Sequence, residues 1–347
     1  MAKFCMDSHK LPYNLKAFES CVLHFESQAL KGNPLNDPVN RQNYLLIPKG
    51  RKSQWPIVFH LSGYFSTGYQ SFDVKTLQKN IVQQIDELTE KGECPRAIHV
   101  FVEATTYWGG SQFINSHGCG QYGDYLYKEL IKGVTTKLPV LSDQKFWAIM
   151  GASSGGYGAL QWISQKQSPF GLAYVVSPDS YFDASLLPEL LRSAPEIAKY
   201  KNFSQIKSLI ASGEIQDKRS FFPLVNVIAM AHCYAPKTSF SKDFLMWPID
   251  LYSGVVDKKI WGSWLLHDPI HFLLKRKAHL VGKEIHLDVG KYDEYHLQFG
   301  TRQIAALLKQ LKVKHSYNEF SGAHRGLTGR RVQCLKGLSK KWRSYVG

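Results

Sequence analysis

The stretch Gly151-Ala152-Ser153-Ser154-Gly155-Gly156 constrains this chain more than any other, because small residues crowd a serine between an apolar run and a helix-like segment. Phe146-Trp147-Ala148-Ile149-Met150 before it reads as a buried strand, and Gly156 to Ile163 after it opens a helix packed on that strand. A strand that turns abruptly into a helix presents one side chain at the edge of the sheet, and glycine tolerates both the strained turn and the close approach. The G-x-S-x-G spacing therefore nominates Ser153 as a nucleophile. A second register, with Ser154 at the apex, puts Tyr157 at the crowded position that Gly156 fills in the first, so the small residues favour Ser153. A plain Gly/Ser turn without chemistry is the competing reading, since the motif alone has many chance matches.

A serine hydroxyl needs a base for its proton and donors for the oxyanion that its attack creates. In a strand-turn-helix architecture of this kind the partners follow in the order serine, acid, histidine. The run Glu284 to Val289 reads as a strand that feeds Gly290-Lys291-Tyr292-Asp293-Glu294-Tyr295, which puts Asp293 beyond its C-terminal end, where open α/β sheets collect their ligands. The next strand ends at Phe320 and leads into Ser321-Gly322-Ala323-His324-Arg325-Gly326, a small-residue loop that carries His324. Asp288, Glu294, Asp179 and Asp183 compete for the acid, and His267 for the base. For the oxyanion, Ser154 offers the N–H that follows the nucleophile. The loop Ser62-Gly63-Tyr64 after the strand Ile57 to Leu61 offers a second, at Tyr64, although a mere strand-ending turn is the alternative there.

Apolar runs alternate with longer amphipathic stretches, the pattern of a mostly parallel sheet with helices on both faces. Further strands are expected at Cys21 to Phe25, Asn43 to Ile47, Ala97 to Glu103, Ala173 to Ser177 and His315 to Phe320, the early ones as antiparallel hairpins. Helices are expected at Val74 to Lys91, Asp124 to Thr136, Gly155 to Gln165 and Gln298 to Leu311. Residues 180–283 hold helical patches but few strand signals, which suggests a cap-like insertion within one domain spanning 1–347. Trp108 and Gln112 are candidates to line a substrate pocket, with packing as the alternative role for each.

With 44% hydrophobic residues the chain can bury a full core. No apolar run reaches the ~18 residues of a membrane helix, and Met1 to Asp7 lacks the apolar core of a signal peptide, so the expected compartment is the cytoplasm. Six cysteines without C-x-x-C spacing suggest reduced thiols, no metal site and no cofactor. The net charge of +15 is concentrated late in the chain, where Arg325, Arg330, Arg331, Lys336, Lys340, Lys341 and Arg343 follow the last acid, Glu319. Leu335, Leu338, Trp342 and Val346 among them keep helical spacing, so a helix with one buried and one solvated basic face is expected, with an anion-binding surface as the alternative. No nucleic-acid signature accompanies the charge.

Taken together, Leu61-Ser62-Gly63, Gly109-Gly110-Ser111-Gln112-Phe113-Ile114-Asn115-Ser116, Gly123-Asp124-Tyr125-Leu126, Gly151 to Gly156, Gly290 to Tyr295 and Gly322-Ala323-His324 resemble, in order, the blocks of the putative-esterase family of α/β-hydrolases. That family includes S-formylglutathione hydrolases, enterochelin esterases and feruloyl esterase modules. The resemblance implies an α/β-hydrolase fold, a Ser153-Asp293-His324 triad and acyl transfer from a small-molecule ester to water. The chain departs from the glutathione-thioester enzymes in lacking the usual His and Met around the serine, and in the length of residues 180–283. An acyltransferase with the same triad, and a catalytically silent homologue that binds a ligand, are the other functions such a chain could serve.

Overall fold

A computed structural model describes residues 3–50, 53–214, 218–241 and 244–346. Its centre is a nine-stranded sheet. Three strands, β1 (Cys5–Ser8), β2 (Phe18–Glu26) and β3 (Asn40–Pro48), run antiparallel at one edge. Six more, β4 (Ile57–Leu61), β5 (Ile98–Phe101), β6 (Trp147–Ala152), β7 (Leu172–Val176), β8 (Glu284–Gly290) and β9 (Lys314–Phe320), run parallel to one another. The order across the sheet is β1-β2-β3-β5-β4-β6-β7-β8-β9, so the strand order reverses once, at β4 and β5.

Burial follows the strand period. In β4, Ile57, Phe59 and Leu61 enter one apolar layer with Ile149, Leu160 and Ile163. Val58 enters the opposite layer with Met150, Ile85 and Leu335. Both faces of the sheet are thus covered, which is why its central strands read as unbroken apolar runs rather than alternating ones. Helix α1 (Ile81–Glu90) starts seven residues later than the periodicity suggests, because the Asn80 side chain accepts from the Gln83 N–H and the Gln83 side chain returns the bond, a capping box that sets the first turn. A wide π-type turn at Tyr125–Leu130 precedes α2 (Ile131–Lys137), and α3 (Ser154–Ile163) follows β6 directly.

Between β7 and β8 the chain forms helices α4 (Leu186–Ile197), α5 (Phe203–Ser212), α6 (Lys218–Tyr234), α7 (Lys258–Leu265) and α8 (Pro269–Lys275), with, among the described residues, only one antiparallel pair of two-residue strands at Phe240–Ser241 and Phe244–Leu245. Helix α9 (Leu297–Gln310) joins β8 to β9. The last helix, α10 (Thr328–Val346), buries Leu335, Leu338 and Trp342 against the sheet. Lys336 and Lys341 on its outer side pair with Glu93 and Glu284. The side chains of Arg343 and Val346, like Met1 and Ala2, lie outside the described residues. Among the described residues no helix is long and apolar enough to cross a membrane.

Candidate active site

The turn from β6 into α3 is tight because two glycines let backbone meet backbone. A Cβ on Gly151 would lie 2.3 Å from the Gly155 carbonyl carbon, and one on Gly155 would lie 2.4 Å from the Leu61 carbonyl oxygen. Between them Ser153 is held at φ 58° and ψ −126°, a conformation that an L-residue adopts only when its surroundings impose it. The two serines point differently. The Ser153 hydroxyl lies 3.1 Å from His324 Nε2, whereas the Ser154 hydroxyl donates to Asp179 Oδ2 at 2.8 Å. The register with Ser153 at the apex is therefore the one whose hydroxyl meets an imidazole.

His324, in the loop after β9, completes the line. Its Nδ1 is 2.8 Å from Asp293 Oδ2, and Asp293 is 2% exposed in the loop after β8. A carboxylate only accepts, so Nδ1 carries the proton and Nε2 presents its lone pair to Ser153. The imidazole is further fixed by its own main chain, whose N–H donates to Glu294 Oε2 at 2.6 Å, and by an edge-on contact with the Tyr295 ring at 4.9 Å. Burial lowers the His324 pKa, but the hydrogen bond and charge of Asp293, with Asp179 and Glu294 behind them, outweigh it and leave the group raised above 6.5.

The loop after β4 closes the other side. Gly63 packs so near that a Cβ there would sit 3.8 Å from Ser153 Cβ, and Tyr64 follows it into the cavity wall. The Tyr64 hydroxyl donates to the Trp108 carbonyl at 2.8 Å, which fixes the loop's direction. Ser154 is the first residue of α3, so its N–H belongs to the donors that a helix start leaves unpaired, and the residue lines the same space.

A family profile described as Putative esterase matches residues 33–327. The chain belongs to this esterase family. Its class of enzyme is thereby a carboxylic ester hydrolase, and its class of substrate a small-molecule ester. Among solved structures, a ferulic acid esterase is 16% identical, with a TM-score of 0.55 and coverage of 98% of this chain and 98% of its own. A fluorophosphonate-binding serine hydrolase of Staphylococcus aureus is 14% identical, with a TM-score of 0.58 over 94% of this chain and 98% of its own. An S-formylglutathione hydrolase from Agrobacterium tumefaciens is 14% identical, with a TM-score of 0.54 over 96% of this chain and 98% of its own. At such identities the likeness establishes the fold, that of the α/β-hydrolases. Comparison with curated protein sequences gives no match.

In this esterase the serine opens into a cavity of about 310 Å³, whose walls include Leu186, Met230, Phe222, Asp179, Glu189 and Arg331. The two pocket candidates read from sequence are not on that surface. Trp108 is fully buried, stacked on His232 at 5.8 Å and near Phe203 at 6.0 Å, so it serves packing. Gln112 is 1% exposed and acts from behind the wall, its amide donating to Asp179 Oδ2 at 2.9 Å and to the Tyr234 hydroxyl at 2.8 Å.

Three of the competitors are engaged elsewhere. Asp183 accepts from Trp261 Nε1, Asp288 accepts from Asn318, and His267 stacks on Tyr234 with its pKa pulled down to about 4 by burial. Asp179 bonds the serines, with Oδ1 3.4 Å from Ser153 Oγ, and its charge also reaches the imidazole, while burial pushes its carboxyl upward against the bonds from Gln112 and Ser154. Glu189 on α4 is 5% exposed, and burial takes it to about 7 despite a 2.7 Å bond from Asn226. Sequence reasoning weighs Asp179 only as an acid for the histidine. The position of Ser177-Pro178-Asp179 just beyond β7, at the ligand edge of the sheet, is the signal for its wider part. Nothing local singles out Glu189.

Proposed function

We propose that this esterase cleaves its ester through an acyl-enzyme on Ser153. The observation that supports the reading is the unbroken hydrogen-bond line from Asp293 through His324 to the Ser153 hydroxyl. As Oγ bonds to the ester carbonyl carbon, His324 Nε2 takes the hydroxyl proton, and the carbonyl oxygen becomes an oxyanion that faces the backbone N–H groups of Tyr64 and Ser154. Collapse breaks the bond to the alcohol oxygen, which leaves with the proton from His324. Water then gives a proton to His324 as it attacks the acyl carbon, and the return of that proton to Oγ frees the acid. Asp293 keeps the imidazole in the tautomer that both steps require.

Residues 180–283 take the part of a cap in this reading. Leu186, Phe222 and Met230 from that segment give the cavity an apolar wall, and its volume suits a small or medium substrate. The test is turnover of p-nitrophenyl acetate by the wild type and by Ser153→Ala. A loss on the order of 10⁶-fold is expected, the scale seen when the serine of such a triad is removed. Turnover within tenfold of wild type in the alanine variant would sink the proposal.

A further inference from the structure

Arg331 is counted in the sequence among the solvated charges of a basic helix, yet it lies in the wall of the ester cavity. It stands one turn beyond Leu327 on α10, and both line the cavity beside His324. Burial lowers its pKa to about 10, so the guanidinium stays charged at neutral pH. Its one hydrogen-bond partner among the described residues is His60 Nδ1, at 3.2 Å, and its Nε has none. No carboxylate among the described residues forms an ion pair with it, and the neighbouring Cys334 is a thiol that burial pushes up to about 12 and so keeps neutral.

The group that holds Arg331 leaves its charge intact. A guanidinium only donates, so His60 Nδ1 is an acceptor and the proton of that ring is on Nε2, which donates to His99 Nδ1 at 2.9 Å. Both rings are fully enclosed, and burial first, then the proximity of His99 and Arg331, keeps His60 far below its ordinary pKa of 6.5. Two neutral imidazoles therefore brace a permanent cation against the cavity. An enclosed charge without a counter-ion is costly, and a cavity wall is where a ligand can supply one.

We propose that Arg331 receives a carboxylate on the alcohol part of the ester. This rests on the esterase reading above and names the substrate class that the site takes. The alcohol side follows from chemistry: His324 delivers the proton to the departing oxygen, and Arg331 shares the wall of His324 and Leu327. Asp179 lies instead against the serines, Oδ1 3.4 Å from Ser153 Oγ and Oδ2 2.8 Å from Ser154 Oγ, where its carboxylate would repel an anion. A single guanidinium balances one negative charge, so a carboxylate fits better than a dianionic phosphate in a cavity that already holds two acids. The formal net charge of +15 adds long-range attraction for such a substrate.

The probes are 4-acetoxybenzoate and its uncharged isostere 4-acetoxybenzamide, each kcat/KM divided by the ester's rate with hydroxide. The wild type should prefer the carboxylate by about tenfold or more, the scale of a charge-assisted hydrogen bond. In Arg331→Gln the ratio should fall to about one, and Arg331→Lys should keep part of it. A wild-type ratio of one or below, or a ratio unchanged in Arg331→Gln, overturns the proposal. Should Arg331→Gln not fold, equilibrium binding of the two probes to Ser153→Ala decides: tighter binding of the carboxylate supports the subsite and equal binding overturns it. Equal turnover of both probes by the wild type sinks the subsite and leaves the esterase. Selective binding without turnover sinks the esterase reading and leaves the subsite.

Discussion

His324 stands between opposed influences, and the balance sets the pH at which the site works. Burial favours the neutral ring, while the Asp293 bond and the charges of Asp293, Asp179 and Glu294 favour the cation and prevail. A base must be neutral to accept the serine proton. The kcat/KM for a neutral p-nitrophenyl ester should therefore climb with pH on a limb whose midpoint lies above 6.5. Asp179→Asn removes one negative field without touching the Nδ1 bond, so it should move that midpoint to lower pH. A pH–rate profile whose midpoint does not move, or moves upward, contradicts this account of the imidazole. Ser153, Asp293 and His324 can be nominated from the sequence because each lies in a loop of small or turn-forming residues just beyond an expected strand. Glu189 and Arg331 cannot, since each sits on a helix and faces inward only because of how that helix is docked.

At the scale of elements, the approach of α3 to β4 and β6 decides whether the serine can be held at all. A Cβ at Gly155 would meet main-chain atoms of Leu61 and Ser62, which cannot swing aside as a side chain would. Gly155→Ala should cost about 2–4 kcal/mol of stability in chemical denaturation, because relief requires the helix to lift off the sheet. Gly337→Ala is the control: on α10 the added methyl would meet only the Tyr174 ring at 3.7 Å, and a gain of about 0.5–1 kcal/mol is expected. A loss under about 0.5 kcal/mol for Gly155→Ala would contradict the packing argument. The buried parallel strands are readable as elements because both their faces are covered. By contrast β1 is not, being a four-residue edge strand with two exposed positions, and α1 starts late because a capping box outranks the looser periodicity before it.

For the whole molecule, the cavity is what sequence alone could not supply. Its lining comes from the loop after β4, the elbow, Asp179, α4, α6, the loop after β8, the loop after β9 and the start of α10, which meet only once the sheet has ordered its strands. Charge misleads at this scale as well. The basic C-terminal helix spends Leu335 and Leu338 on the core, sends Lys336 and Lys341 to surface carboxylates, and turns Arg331 to the cavity. The proposed chemistry turns on Ser153 Oγ as the atom that attacks. Treatment with a fluorophosphonate, read by intact mass and peptide mapping, tests it most directly. The wild type should gain a single adduct on Ser153, His324→Ala should react far more slowly, and Ser153→Ala should gain none. An adduct on Ser154, or labelling undiminished in Ser153→Ala, would contradict the account.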